Sequence, residues 1–254
     1  MRGLRASCSI LSVLLPFCLV APAAAGSGGE IEVTWGDSLT VAAGEIRGLA
    51  WLDDDHYVAL VAQPDTLPDM PPLTTALAWF DALGNVTREE DFTGTLSRGL
   101  AFDGKYLWSL GDATRDAEAT LYKIESDTLF VDAVYPTPGH RPCGLAWDGR
   151  YVWMVDRDRG RLDSFDPETE EISRSELTPA FSPCGLAFDG RAFWTCDSGT
   201  GRLYRLSRGG GAWSGTVSRE GFDFRGRDVM LAWDGASLWA VPQSGGVARR
   251  MRIP

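Results

Sequence analysis

No run of the sequence is long and apolar enough to span a membrane comfortably; the best, Ile10 to Val20, is broken by Ser12 and Pro16. No CxxC-type spacing or other metal-ligand pattern occurs, so no soft-metal centre is expected. Nucleophile elbows and dense acid clusters are missing too. No low-complexity linker divides the chain, and 26 to 254 reads as one domain. Positive charge is the minor sign, with 24 Lys and Arg against 35 Asp and Glu and a net charge of −11; only Lys105 and Lys123 are lysines. Such a surface repels phosphate backbones, and nucleic acid is not an expected partner.

The first 25 residues read as a secretory signal peptide. Arg2 and Arg5 supply a positive start, an apolar run follows, and Ala23-Ala24-Ala25 offers a small-residue cleavage site. The expected product is a soluble exported protein, periplasmic or extracellular, with a charge of about −13 and no membrane span. Cys143, Cys184 and Cys196 remain in it, an odd number.

What the chain does have is a repeat. RPCGLAWDGRYVWMVD at 141 to 156 returns as RGLAFDGKYLWSLGD at 98 to 112, PCGLAFDGRAFWTCD at 183 to 197 and VMLAWDGASLWAV at 229 to 241. A degenerate fifth copy, RGLAWLDDDHYVALV, occupies 47 to 61. The leucines Leu49, Leu100, Leu145, Leu186 and Leu231 are spaced 51, 45, 41 and 45 residues apart. A unit of that size cannot bury its own apolar faces, so copies must stack.

Each copy opens with two apolar runs around Asp-Gly, at 103, 148, 189 and 234, which predicts a β-hairpin with a type I′ turn. Two further strands follow, as in Gly160 to Asp166 and Glu171 to Leu177, the last one polar. The same order is expected at Thr120 to Val134 and Gly201 to Val217. Inner strands apolar on both faces and a polar outer strand are what a propeller blade requires. After the fifth hairpin only Val247 to Ile253 remains, room for one strand, while Ile31, Val33, Trp35, Leu39 and Val41 form a spare strand ahead of the first copy. Pairing the two closes the ring. The expected fold is all-β, a five-bladed β-propeller of four-stranded antiparallel blades.

GLAWDG with its aromatic-Trp run, the GRLYRL strand and the D-P-E-T turn resemble the propeller repeats of NHL, SMP-30/gluconolactonase-like and glutamine cyclotransferase-type proteins, over residues 31 to 254. The count of five resembles the plant-type glutaminyl cyclase branch most. That resemblance implies turnover of an N-terminal Gln to pyroglutamate with loss of ammonia. The branch's first-blade Gln-Gly-Leu and Tyr-Glu-Ser segments stand here as Arg47-Gly48-Leu49 and Tyr57-Val58-Ala59.

Loops at the starts of first strands and ends of second strands share one face of such a ring, where a rigid scaffold presents binding residues. Arg47, Arg98 and Arg141 are expected there as a carboxylate clamp, with Asp112 beside them. His140, Asp156 and Asp197 are the acid–base candidates, though an Asp opening a loop also serves as a turn former. His56 falls in the first hairpin turn on the opposite face. Cys184 can face Cys196 across a hairpin, or Cys143 in the next blade, and a staple between blades is the preferred reading. Asp156 to Gly160 and Asp53-Asp54-Asp55 are fragments of a calcium loop without its distal Glu, so no cofactor is expected. Asn85-Val86-Thr87 matches a glycosylation acceptor. The leading expectation is a monomeric module that binds a small molecule, peptide or protein at the axial loop face. A glutaminyl cyclase-like enzyme comes second. An SMP-30-like lactonase follows, because its axial acids are replaced by Arg, Cys and Val; a five-bladed glycosidase lacks its acids for a similar reason.

Overall fold

The computed structural model describes residues 34–40, 45–62, 75–92, 96–113, 118–207, 211–216, 224–242 and 246–252. The leader segment, Ile31, Val33, Val41, Gln63, Val217, Gln243 and Ile253 lie outside the described residues. Five four-stranded antiparallel sheets form a ring. β1 (Thr34–Thr40) precedes blade 1, which consists of β2 (Glu45–Trp51), β3 (His56–Ala62), β4 (Thr75–Asp81) and β5 (Val86–Phe92). Blade 2 holds β6 (Leu96–Phe102), β7 (Tyr106–Gly111), β8 (Thr120–Glu125) and β9 (Val131–Pro136). Blade 3 holds β10 (Pro142–Trp147), β11 (Val152–Asp156), β12 (Arg161–Asp166) and β13 (Glu171–Leu177). Blade 4 holds β14 (Pro183–Phe188), β15 (Ala192–Asp197), β16 (Arg202–Ser207) and β17 (Gly211–Thr216). Blade 5 holds β18 (Val229–Trp233), β19 (Leu238–Pro242) and β20 (Val247–Arg252), and β1 completes it by pairing antiparallel with β20.

That exchange closes the ring with the first strand of the chain on the last blade, which leaves no blade with a missing outer strand. Burial follows the expected gradient: β11 and β15 are buried throughout, whereas β13 is exposed along its whole length. Successive side chains of an inner strand point to opposite neighbours, as the pleat demands. Leu49 packs into the cluster shared with Met230, Trp239 and Val241 of blade 5, and Ala50 into the cluster with Leu96 and Leu100 of blade 2. Each blade is therefore buried on both faces, and each fully buried Leu or Val contributes about 1.5–3 kcal/mol. Among the described residues no helix is long and apolar enough to cross a membrane.

The hairpin turns differ from the type I′ expectation, because among these turn residues only the glycines, as at Gly149 with φ 94°, take positive φ. The aspartate works through its side chain instead. Asp148 Oδ1 accepts the amides of Arg150 and Tyr151, both at 2.8 Å, while Oδ2 accepts the indole N–H of Trp153 at 2.7 Å. The same indole-to-carboxylate bond joins Trp108 to Asp103, Trp194 to Asp189 and Trp239 to Asp234. An Asp-Gly with Trp five residues on is thus one locked module, used four times. In blade 1 Val58 stands at the Trp position, and Asp53 instead accepts the amides of Asp55 and His56 and pairs with exposed His56 at 2.9 Å.

Glycines set the width of the axis. A Cβ on Gly48 would lie 2.8 Å from the Gly99 carbonyl carbon, and one on Gly144 would strike the Leu186 amide. The inner strands thus meet backbone to backbone around the axis at this level. Below the glycines, a cavity of about 190 Å³ is lined by the Leu-Ala-aromatic segments of all five first strands, which include Trp51, Phe102, Trp147, Phe188 and Trp233. Because each first strand is the edge of its sheet, its unpaired N–H and C=O groups face this space, which is consequently polar despite its apolar sequence. Above the glycines lies the loop face.

Candidate functional site

The loop face is shaped by irregular pairing at the top of the inner strands. Arg47 in β2 and Cys143 in β10 are extra residues opposite a continuous partner strand, and β6 and β14 shift register at the same level. A bulge of this kind turns a side chain away from the alternation that the rest of the strand obeys.

Three guanidiniums stand at this level, and they are Arg47, Arg98 and Arg157. Their side chains are 18%, 16% and 13% exposed, and the Nε of each is buried without a hydrogen-bond partner. Arg98 donates to Asp112 at 2.9 Å and approaches Asp228 at 3.8 Å. Arg157 donates to the other oxygen of Asp228, so one carboxylate sits between guanidiniums from blades 2 and 3. Burial is the largest single influence and works against the charge on Arg157, but the bond to Asp228 and the negative groups around it together outweigh it and hold its pKa above the ordinary value. Arg47 donates to Glu45 at 2.9 Å. The cations lie inward and two of their acid partners outward: Glu45 is 44% and Asp112 46% exposed.

Arg141 does not join them. It is 57% exposed and, among the described residues, its side chain reaches Asp158 at 3.4 Å. Arg157 takes the third place, having been read from the sequence only as part of a calcium-loop fragment. The available signal was its position three residues after Met154 at the end of β11, one beyond the aspartate that closes the strand. Asp112 occupies that same place in blade 2, not the place of Asp156, because Gly111 is the residue opposite Leu96 at the strand end.

Asp156 and Asp197 are buried and act on backbone. Asp156 accepts the amides of Arg141 at 2.9 Å and Arg159 at 2.8 Å, and Gly139 packs against its carboxylate so closely that a Cβ there would collide with it. Asp197 accepts the amides of Phe181, Ser182, Gly199 and Thr200, tying the loop before β14 to the turn after β15. Burial pushes the Asp197 carboxyl up, and the Phe181 amide foremost among these donors brings it below the ordinary value. His140 is exposed in the same loop as Arg141. Phe181, 87% exposed, stands on this face beside Gly199.

The three cysteines lie directly beneath. Cys143 Sγ is directed at the carbonyls of Pro183 at 3.0 Å and Val155 at 3.5 Å, and burial pushes its thiol pKa up. Cys184 lies opposite Cys196 in its own blade. Among the described residues no group of three or more His, Cys, Asp or Glu is placed to hold a metal.

No family model and no curated protein matches the sequence. Solved structures do match in shape. Glutaminyl cyclase of Myxococcus xanthus superposes with a TM-score of 0.66 at 11% identity, covering 89% of this chain and 98% of that one. The chain has the fold of that cyclase. A chain of a nidogen/laminin complex follows with a TM-score of 0.56 at 15% identity, covering 77% of this chain and 71% of that one. A structural genomics protein of unknown function from Bacteroides thetaiotaomicron VPI-5482 has a TM-score of 0.50 at 13% identity, over 86% and 72% of the two chains. At these identities the likeness is one of fold.

Proposed function

We propose that the chain is a binding module whose loop face takes a peptide or protein segment through a carboxylate. The observation that carries this reading is the convergence of Arg98 and Arg157, from different blades, on the single carboxylate of Asp228. The two largely buried guanidiniums are balanced by Asp228 between them and by the outward Asp112, so a ligand carboxylate that takes the place of Asp112 meets a fork already held in position, and guanidinium forks suit a bidentate carboxylate. Arg47 extends the same charge along the adjacent inner strand. The outward acids Glu45 and Asp112 are the groups an incoming carboxylate displaces, since neither is buried. Exposed Phe181 on the same face offers an apolar anchor, and arginine with aromatic residues is the composition that dominates interface energetics. The nidogen/laminin neighbour, a propeller fold seen in a protein complex, is consistent with this use.

The test is fluorescence anisotropy with a dye-labelled acidic hexapeptide containing Leu and Glu. Binding that weakens with salt, falls at least about tenfold in Arg157→Ala or Arg98→Ala and is unchanged in Arg141→Ala is the expected result. Equal binding by all four proteins, or none by the parent, overturns the proposal. A second reading is favoured by the near-complete coverage of the cyclase chain. It predicts ammonia loss from a Gln-initiated peptide, measured by mass, and turnover at the buffer rate excludes it.

A further inference from the structure

We propose that Cys184 and Cys196 are a redox pair that closes to a disulfide within blade 4, while Cys143 stays a thiol. The two residues are direct Cα partners on β14 and β15, and their sulfurs lie 3.2 Å apart. Directly opposite residues of an antiparallel pair have Cα atoms about 4.5 or 5.5 Å apart, and both separations fall inside the window of about 4.4–6.8 Å for a disulfide. The sulfurs then need to approach by about a further 1.2 Å to reach bonding distance. Cys143 competes poorly, because its sulfur is turned toward the Pro183 and Val155 carbonyls. The staple therefore forms inside one blade, not between two.

Both thiols are fully buried, so an oxidant reaches them during folding or when the top of the blade opens. The two sulfurs are within hydrogen-bond reach of each other, and the contact with Cys196 lowers the Cys184 thiol pKa, which makes Cys184 the attacking group. The reaction is thiol–disulfide exchange with a small-molecule disulfide: the Cys184 thiolate attacks one sulfur and expels a thiol, then Cys196 attacks the mixed disulfide, loses its proton and releases the second thiol. The protein gives up two electrons and two protons, and the small disulfide takes both.

The position of the pair gives the bond a consequence. Cys184 is directed at the carbonyl of Arg227 at 3.9 Å and Cys196 at that of Val229 at 3.5 Å, the two residues that flank Asp228. Closing the disulfide removes the thiol protons and draws together two sulfurs that lie against the segment carrying the shared acid of the arginine mouth. This consequence rests on the proposed binding function; the bond itself does not.

The experiment refolds the full chain in a mixture of oxidised and reduced glutathione, traps free thiols by alkylation and maps peptides without reduction. The expected map links Cys184 to Cys196, leaves Cys143 alkylated and persists in Cys143→Ser. The oxidised protein should melt roughly 5 °C above the reduced one. Three alkylated cysteines after oxidative refolding, or a bond that includes Cys143, overturns the proposal. The dye-labelled acidic hexapeptide, titrated into both forms, should bind with different affinities. A Cys184–Cys196 bond in a protein that does not bind the hexapeptide refutes the binding function and leaves the redox pair standing.

Discussion

Arg157, the residue after β11, donates to Asp228 just ahead of β18, across the loop face and 71 residues further along the chain. Each needs the other, because a guanidinium that is only 13% exposed must keep a counter-charge or lose its solvation without return. Asp228→Asn should lower stability by about 1–3 kcal/mol, read as a fall in the urea midpoint at unchanged slope. The same substitution should tighten binding of an acidic peptide, since Asp228 then no longer competes for the two arginines. A variant as stable as the parent would show that the pair contributes nothing.

The hairpin module makes a graded prediction. Trp153→Phe keeps most of the packing but leaves Asp148 Oδ2 without its indole donor, at a cost of about 1 kcal/mol. Asp148→Ala removes the indole bond and both amide bonds of the turn, and should cost roughly 2–4 kcal/mol. Denaturant midpoints of the two variants check the order. Equal losses would mean that the amides contribute little.

Asp197 contributes to acid stability. Its pKa is depressed in the folded state from the ordinary 3.8, so its contribution is present above that value and is lost as the pH falls through the folded-state pKa. Melting temperatures of the parent should drop more steeply than those of Asp197→Asn as pH falls from about 4 to 2. At pH 7 the Asn variant should be the less stable, since it accepts fewer of the Phe181, Ser182, Gly199 and Thr200 amides. Parallel curves would reject the assignment.

Much of the architecture was legible because its causes are local. Asp-Gly at 148 between apolar runs specifies a hairpin, though its turn takes positive φ only at Gly149. The indole bond from Trp153 follows from a spacing that is visible in every regular copy but says nothing of contact until the turn is built. The site was less legible. Arg47 and Arg98 hold equivalent places in adjacent blades and are identifiable from the repeat; Arg141 is picked out by its place ahead of a first strand, whereas Arg157 lies just past a second strand and carries no such mark. The difference lies in where the side chains go: Arg141 runs outward to Asp158, and Arg157 runs inward to a carboxylate from another blade.

By itself the amino-acid order determined five units, four strands in each and a ring closed by the first strand on the last blade, because turn residues and apolar period act within a few neighbours. Tertiary structure alone decided which charges meet. Bulges at the tops of the inner strands re-aim single side chains, and closure of the ring around a narrow axis brings Arg98, Arg157 and Asp228 together from three separate repeats.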